Sequence, residues 1–248
     1  MQKLMIVLLA LAVSVVWIGC EGSTDPASTG SLSLVSRYSP SAAPAISLSI
    51  GGENAGVLAV DSVTITRARL IIRDIKLKSS SDSLNFRTDP MVVELNLASA
   101  NQTLEVKDVP FATYRRIEFD VHRTQPSEIS SLPAAEQTKF TEFLAGEVYS
   151  VIVEGMVYRT GQSAASYVYR SKIDAKQKID LLPELTVSEQ SPQANITMLI
   201  SSGGWFRNST GVLVDPTDKN NEGVIDENLK GSIRIFKDNN KDGLKDNN

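Results

Sequence analysis

The residue of this sequence that first suggests chemistry is Cys20, the only cysteine in 248 residues. It follows an apolar run from Met5 to Ile18, and Lys3 places a positive charge before that run. A run of about 14 apolar residues is too short to span a membrane, which needs about 20, and is typical of a secretory leader. A lone cysteine cannot form an internal disulfide. The pattern therefore predicts a cleaved signal peptide over residues 1–19 and a covalent role for the Cys20 thiol.

The four residues Trp17, Ile18, Gly19 and Cys20 resemble the lipobox of bacterial lipoprotein signal peptides, with Trp17 in place of the usual leucine. The resemblance implies that the Cys20 thiol receives a diacylglyceryl group, that the signal is cut before it, and that the new amino group is acylated, for example with palmitate. We therefore expect a protein that is lipid-anchored in the outer membrane of a bacterial cell envelope. The sequence does not distinguish the periplasmic from the cell-surface face of that membrane. The alternative is a soluble secreted protein, or an uncleaved anchor, with an incidental cysteine.

A second candidate site lies at residues 238–246, which read D-x-N-x-D-G-x-x-D. Calcium prefers many hard oxygen ligands, and oxygens at positions 1, 3, 5, 7 and 9 with a glycine at 6 can wrap one ion. The segment resembles an EF-hand or dockerin-type calcium loop. The resemblance implies that Asp238, Asn240 and Asp242 are side-chain ligands, that Leu244 is a carbonyl ligand, and that Asp246 binds directly or through water.

The predicted calcium loop departs from that family because position 12, normally a bidentate glutamate, would fall past Asn248. A second acidic loop at residues 215–223 could supply further ligands. A helix of about 15 residues between the two loops would, however, hold them roughly 22 Å apart. The alternative is a polar, solvated tail in which Asp218 only caps a helix. Calcium is thus the one candidate cofactor.

The only histidine, His122, lies two residues from Asp120 on the same face of a predicted strand, so an Asp–His pair is geometrically possible. Hydrolase chemistry would also need a nucleophile, and no G-x-S-x-G motif is present. One histidine without a usable cysteine argues against a zinc site. We therefore expect a hydrogen-bonded surface histidine.

Aromatic side chains at strand spacing could form a platform on which sugars stack. They are more often packed in a core or across strands, and the last two could close the end of a sandwich beneath a terminal helix. The residues concerned are Tyr149, Tyr158, Tyr167, Tyr169, Trp205 and Phe206.

The overall charge gives no reason to expect a nucleic-acid partner. Lys and Arg number 25 against 29 Asp and Glu, for a net charge of −4, and no basic cluster is present. Removing the 19 residues of the predicted signal leaves 229, enough for one large domain or two small ones. Residues 20–30 are small and polar with one proline, which predicts a flexible tether between the lipid and the domain.

Strands are the elements that must position these residues. Alternating apolar and polar residues predict strands at 31–35, 46–50, 62–78, 92–97, from 103, and at 114–122, 148–158, 166–173, 177–182 and 194–200. Short strands separated by frequent turns predict one antiparallel β-sandwich of about eight to ten strands over residues 31–202.

The longest predicted strand, Ser62–Lys78, changes the parity of its apolar residues twice, near Arg67 and near Arg73. A strand with one buried face cannot change parity without an extra residue, so we predict β-bulges or bends at both places. The alternative is two strands broken near Arg73 and Asp74.

Two helices are predicted among the strands. A short helix is expected within residues 131–145, with Ser131 as a cap, Pro133 in its first turn and Gly146 as its end. Apolar residues at 225, 229, 233 and 236 predict a C-terminal helix from about Glu222 to Lys237. Residues 203–248 would then form a helical extension with loops rich in Asp and Asn.

The segment from Ser62 to His122 carries three stretches: SVTITRARLIIRDIKL, VVELNL and LEVKDVPFATYRRIEFDV. It resembles a family of bacterial secreted lipoproteins whose domain is called domain of unknown function 4382. The resemblance implies an immunoglobulin- or transthyretin-like β-sandwich and carries over no function or site.

From these patterns we expect a calcium-stabilised, non-catalytic binding or structural module with a glycan or protein ligand of the envelope. The alternative is an envelope hydrolase that acts on glycans or other surface polymers. Such an enzyme would show a concave pocket with two carboxylates, or an Asp–His pair near a hydroxyl. A third hypothesis is a stalk or assembly subunit, which would self-associate in sedimentation.

Overall fold

The computed structural model describes residues 28–39, 59–98, 101–238 and 242. The strands in these residues are β1 (Thr29–Ser39), β2 (Val60–Ser79), β3 (Phe86–Arg87), β4 (Met91–Glu94), β5 (Asn101–Pro110), β6 (Ala112–Val121), β7 (Val151–Arg159), β8 (Ala165–Ser171), β9 (Ala175–Val187), β10 (Gln193–Ser201) and β11 (Ile233–Lys237). The α-helices are α1 (Pro126–Ile129), α2 (Ala134–Lys139) and α3 (Glu222–Ser232). The strand predicted at 46–50 lies outside the described residues.

The described strands form two sheets that stack as a β-sandwich, which confirms the predicted fold class. The first sheet has the order β11-β10-β1-β5, and the second has the order β8-β7-β2-β6-β9, with β3 and β4 also paired to β2. One pair, β1 with β10, runs parallel, whereas the other paired strands run antiparallel. A parallel pair needs a long crossover connection, and here the strands of the second sheet supply it.

The main hydrophobic core lies between the two sheets. Leu32 and Leu34 of β1 are fully buried there, together with Leu77 of β2 and with Ile117 and Phe119 of β6. Each such side chain stabilises the fold by about 1.5–3 kcal/mol when it leaves water. The apolar residues that alternate along each strand therefore fix which charged residues face outward.

Strand β2 is one continuous strand with irregular pairing. Its pairing with β7 shifts register between Ile65 and Arg67, and its pairing with β6 shifts between Ile72 and Asp74. These shifts confirm the bulges predicted near Arg67 and Arg73, and the alternative of two separate strands is wrong. The first half of β2 pairs with β7 and the second half with β6, so one strand joins both ends of the second sheet.

A smaller apolar cluster covers the opposite face of β2. Ile71 and Ile152 pack there against Ile129, Phe140 and Phe143, which come from the segment between β6 and β7. This second cluster explains why β2 is buried on both faces at its centre, where side-chain periodicity alone allows only one buried face.

The helix predicted within residues 131–145 is shorter than expected. Helix α2 has Pro133 rather than Ser131 as its N-cap and ends at Lys139, well before Gly146. The turns that follow α2 place Phe140 and Phe143 on the second cluster, and this packing takes precedence over helical continuation. The sequence analysis also did not predict α1. This helix begins with Pro126, and a capping box between Gln125 and Glu128 caps its N-terminus.

The prediction of one helix from Glu222 to Lys237 is wrong in its second half. Helix α3 ends at Ser232, and Ile233 begins β11, which pairs antiparallel with Ile196–Ile200 of β10. Ile233 and Ile235 are buried and Arg234 is exposed, so strand periodicity explains these residues as well as helical periodicity does. The available edge of β10 decides between the two, because it satisfies backbone hydrogen bonds along the whole segment. The residues after 203 therefore contribute to the sandwich itself.

Candidate functional site

The outer face of the second sheet carries charged residues in register across three strands. Apolar residues fill most of the inward positions of β2, β6 and β9, so the intervening residues point outward. The register places Lys78 beside Arg116 and Asp180, Lys76 beside Glu118 and Lys178, and Asp74 beside Asp120 and Lys176. We call these nine residues the charged face.

A β-bulge in β6 interrupts the charged face. The register with β9 shifts between Tyr114 and Arg116, and the register with β2 shifts at the same place, so Arg115 has no partner residue in either ladder. Tyr114 and Ile117 are both buried, whereas Arg115 is exposed and Arg116 is half-buried. The bulge therefore directs two consecutive arginines to the same side of the sheet, where regular alternation would separate them.

Tyr114 fixes the start of this bulge. Its hydroxyl donates a hydrogen bond to the carbonyl oxygen of Pro110 at 2.7 Å, and burial raises the pKa of Tyr114 to about 12. The Tyr114 ring is thus anchored in the core, while Arg115 and Arg116, which follow it directly, lie on the outer face.

The bulge borders an open depression with a volume of about 460 Å³. The residues that line it are Lys78, Ser79, Asp82, Arg115, Arg116 and Glu118. Three of these side chains are cationic and two are anionic, so the depression combines charge of both signs on one concave surface.

Ion pairs neutralise part of this charge. Arg116 donates from Nε to Asp180 Oδ1 at 2.7 Å, and this hydrogen bond lowers the pKa of Asp180, with a smaller contribution of the same sign from Arg115. The Oε atoms of Glu118 lie 3.6 Å from Lys176 Nζ and 4.0 Å from Lys178 Nζ. Within the part of the chain that the structure describes, neither Lys78 nor Arg115 makes an ion pair.

A second charge network lies on the first half of β2. The buried Arg69 donates to both carboxylate oxygens of Glu142, at 2.9 and 2.8 Å, and to Glu154 at 2.6 Å. Arg67 donates to both oxygens of Glu94, at 3.1 and 3.0 Å, and lies within 3.8 Å of Glu142 and Glu154. Glu142 belongs to the segment between β6 and β7, so its hydrogen bonds with Arg69 attach that segment to the sheet.

The structure pairs His122 with a different residue from the predicted one. Its Nδ1 lies 2.5 Å from Asp174 Oδ1, in the loop before β9, and Asp120 is not its partner. The register explains the difference, because Val121 faces Ala175 and the next residues along are therefore direct cross-strand neighbours. Such neighbours lie about 5 Å apart, closer than two residues separated by one position along a strand. The expected polar contact of a partly exposed histidine is confirmed.

The hypothesis of an exposed aromatic platform for sugars is wrong for four of its six residues, because their side chains are buried. Tyr167, Tyr169, Trp205 and Phe206 are buried, and the Phe206 ring lies edge-on to both tyrosines, at 5.5 and 6.3 Å between centroids. The Tyr169 hydroxyl donates to Asp226 Oδ1 of α3 at 2.8 Å, so these rings attach α3 to the sheet, and burial raises the pKa of Tyr169 well above its ordinary range. The predicted packing of Trp205 and Phe206 beneath the terminal helix is confirmed.

Most of the predicted calcium loop lies outside the described residues, including Asn240, Leu244 and Asp246. The structure describes two of its proposed ligands, Asp238 and Asp242. Asp238 is fully buried and accepts hydrogen bonds from Thr197 Oγ1 at 2.6 Å and from the Asp242 backbone nitrogen at 3.2 Å. Arg37 Nη1 donates to the Asp242 carbonyl oxygen at 3.1 Å. The first position of the loop is therefore fixed against the first sheet.

The second acidic loop, residues 215–223, has partners of its own. Asp215 accepts from Arg159 at 2.5 and 3.0 Å. Burial would raise the pKa of Asp215, but the hydrogen bonds from Arg159 and Thr217 outweigh it and the pKa is lowered. Asp218 accepts from the Asn220 backbone nitrogen and so caps a short 3-10 turn before α3, whereas the N-cap of α3 itself is Asn221 and not Asp218. No cluster of three or more metal-binding His, Cys, Asp or Glu side chains occurs in the described ranges.

Sequence patterns did not single out Arg115, although one signal was present. Tyr114 and Ile117 are apolar and three positions apart, which strict alternation does not allow.

The predicted lipidation site, Cys20, lies outside the described residues. None of the helices in the ranges that the structure covers is long and apolar enough to cross a membrane.

Comparison of the chain with protein-family models, with curated proteins and with solved structures gives no match. The resemblance of residues 62–122 to domain of unknown function 4382 therefore stays a prediction.

Proposed function

We propose that this protein is a lipid-anchored module of the bacterial cell envelope that binds an envelope ligand, without catalysis, through the charged face of its second sheet. The observation that carries this proposal is the depression beside the β6 bulge, which the exposed Arg115 and the half-buried Lys78 line without making an ion pair within the described residues. Cationic side chains around a concave surface attract ligands of opposite charge and orient them. The lipobox-like residues before Cys20 support the envelope location.

A screen of cell-surface glycans and envelope proteins tests this proposal. We expect the full-length protein, purified in detergent, to bind at least one anionic ligand, and expect a Lys78→Glu, Arg115→Glu variant to lose that binding. The matched control is Arg234→Glu, since Arg234 is an exposed strand residue on the first sheet. Uniform failure to bind, or equal binding by the face variant and the wild type, would contradict the proposal.

One observation favours the alternative of an envelope hydrolase: Asp82 and Glu118 both line the depression. Pairs of carboxylic residues perform acid–base and nucleophilic steps in most glycosidases. Under this alternative, a glycan bound in the screen would also be cleaved by the wild type, and Glu118→Gln would bind the glycan without cleaving it. Binding without cleavage by the wild type favours the non-catalytic module.

We also propose that calcium stabilises the C-terminal loop through Asp238, Asn240, Asp242, Leu244 and Asp246. The attachment of Asp238 to Thr197 supports this, because it places the first ligand position of the loop on a fixed strand.

Calorimetric titration tests the calcium proposal. We expect calcium at millimolar or lower concentration to give heat and to raise the unfolding temperature, because an ion that binds only the folded state stabilises it. Asp242→Ala should abolish both effects. The absence of heat and of a thermal shift in the wild type at millimolar calcium would end this proposal.

A further inference from the structure

We infer that the depression beside the β6 bulge binds a phosphate group, with Arg115 and Lys78 as its principal contacts. This inference rests on the proposed binding function of the charged face and names the chemistry of its ligand. The phosphate could belong to a soluble phosphorylated sugar, as a monoester, or to a phospholipid headgroup, as a diester, and both present anionic phosphoryl oxygens.

The bulge is the structural feature that creates the site. Two consecutive residues of a regular strand point to opposite faces, and one of two arginines would then be directed into the core. The additional residue in β6 instead leaves Arg115 exposed beside Arg116, with Lys78 opposite Arg116 on the neighbouring strand β2. Three cationic side chains therefore surround one depression, although they come from only two strands.

The charge balance leaves the site positive. Among the lining residues, Lys78, Arg115 and Arg116 oppose Asp82 and Glu118. Including the contacting residues Lys176, Lys178 and Asp180 gives five cations against three carboxylates, an excess of two positive charges. This excess matches a phosphate monoester, which carries a charge between −1.5 and −2 near neutral pH.

The two carboxylates of the depression are occupied by other groups. Glu118 lies within 4.0 Å of two lysines, and Asp82 accepts a hydrogen bond from Asn85 Nδ2 at 3.0 Å. Arg115 and Lys78 make no such contact within the described ranges, so their donors can meet an oxyanion without breaking an ion pair of the described structure. Guanidinium and ammonium groups together are the usual protein donors to phosphate.

Isothermal titration of the full-length protein in detergent, at low salt, tests the inference. The probes are inorganic phosphate, glucose 1-phosphate, and glycerophosphoglycerol as the soluble headgroup of an anionic phospholipid. We expect millimolar or tighter binding of phosphate, and expect Arg115→Ala and Lys78→Ala each to weaken it about tenfold, as the loss of a charge-assisted hydrogen bond would. Arg234→Ala, on the first sheet, should leave phosphate binding unchanged.

The two sources of phosphate give different results with these probes. Tighter binding of glucose 1-phosphate identifies a soluble phosphorylated sugar, and tighter binding of glycerophosphoglycerol identifies a lipid headgroup. Both results support the inference. The inference is overturned by an absence of phosphate binding, by equal binding in Arg115→Ala, or by acetate that binds as tightly as phosphate. If the screen still finds an Arg115-dependent ligand, only this inference fails; if it finds none, the proposed function fails as well.

Discussion

Replacement of Arg69 by methionine is expected to lower the free energy of unfolding by about 3 kcal/mol. Arg69 is 4% exposed and forms three hydrogen bonds with Glu142 and Glu154. Its guanidinium carbon also lies 5.8 Å from the centre of the Phe143 ring. Methionine retains much of the apolar stem but leaves Glu154 partly buried without its nearest cation, and urea denaturation followed by circular dichroism measures the loss.

Arg67→Met provides the matched control for this prediction. Arg67 lies two residues away on the same strand and contacts the same carboxylates, but its side chain is 39% exposed. Exposed ion pairs contribute about 1 kcal/mol or less because water and salt screen them. Equal losses of stability in the two variants would show that burial of Arg69 does not determine its contribution.

The same network predicts how the effect of Arg69→Met depends on pH. Hydrogen bonds from the arginines lower the pKa of Glu94 and Glu142 below their ordinary value of 4.5. The contribution of a carboxyl whose pKa is lower in the folded state is fully present above the unfolded-state pKa and is lost as pH falls through the folded-state pKa. The stabilities of the wild type and the variant should therefore differ at neutral pH and converge in acid. A difference that stays constant into the acid range would contradict this assignment.

Replacement of Cys20 by serine is expected to abolish the incorporation of fatty acid into the protein completely. The lipobox resemblance assigns the acyl chains to this residue, and each buried CH₂ contributes about 0.8 kcal/mol to membrane attachment. We expect the wild type to incorporate labelled palmitate and to partition with membranes, and the variant to be released or to retain an uncut signal.

The control for Cys20→Ser is Ser23→Ala, a change in the predicted tether that leaves the lipobox residues intact. This variant should be labelled and fractionated like the wild type. Label in Cys20→Ser, or none in the wild type, would contradict lipidation at Cys20.

Side-chain parity allowed much of the sandwich to be predicted. The apolar residues of β2 change parity at Arg67 and Arg73, and the structure has register shifts at both places. The prediction of these bulges succeeds because a strand with one buried face requires a side-chain period of two, which is a local property of the sequence. The predicted strand 114–122 likewise corresponds to β6 over most of its length.

The remaining features depend on contacts that sequence periodicity does not contain. Ile233 and Phe236 fit helical spacing with Ile225, and only the free edge of β10 makes Ile233 the start of a strand. The partner of His122 follows from the register between β6 and β9, which places Asp174 across from it. The orientation of Arg115 depends on a bulge that both neighbouring strands must accommodate. Each of these outcomes is a tertiary pairing that takes precedence over a local pattern.

The intact mass of the mature protein, isolated from membranes and analysed together with its amino-terminal peptide, tests the envelope-anchored account most directly. We expect the mature chain to begin at Cys20 and to carry a diacylglyceryl group on the thiol together with an acyl group on the amine. A mature chain with an unmodified Cys20, or one that begins at another residue, would contradict it.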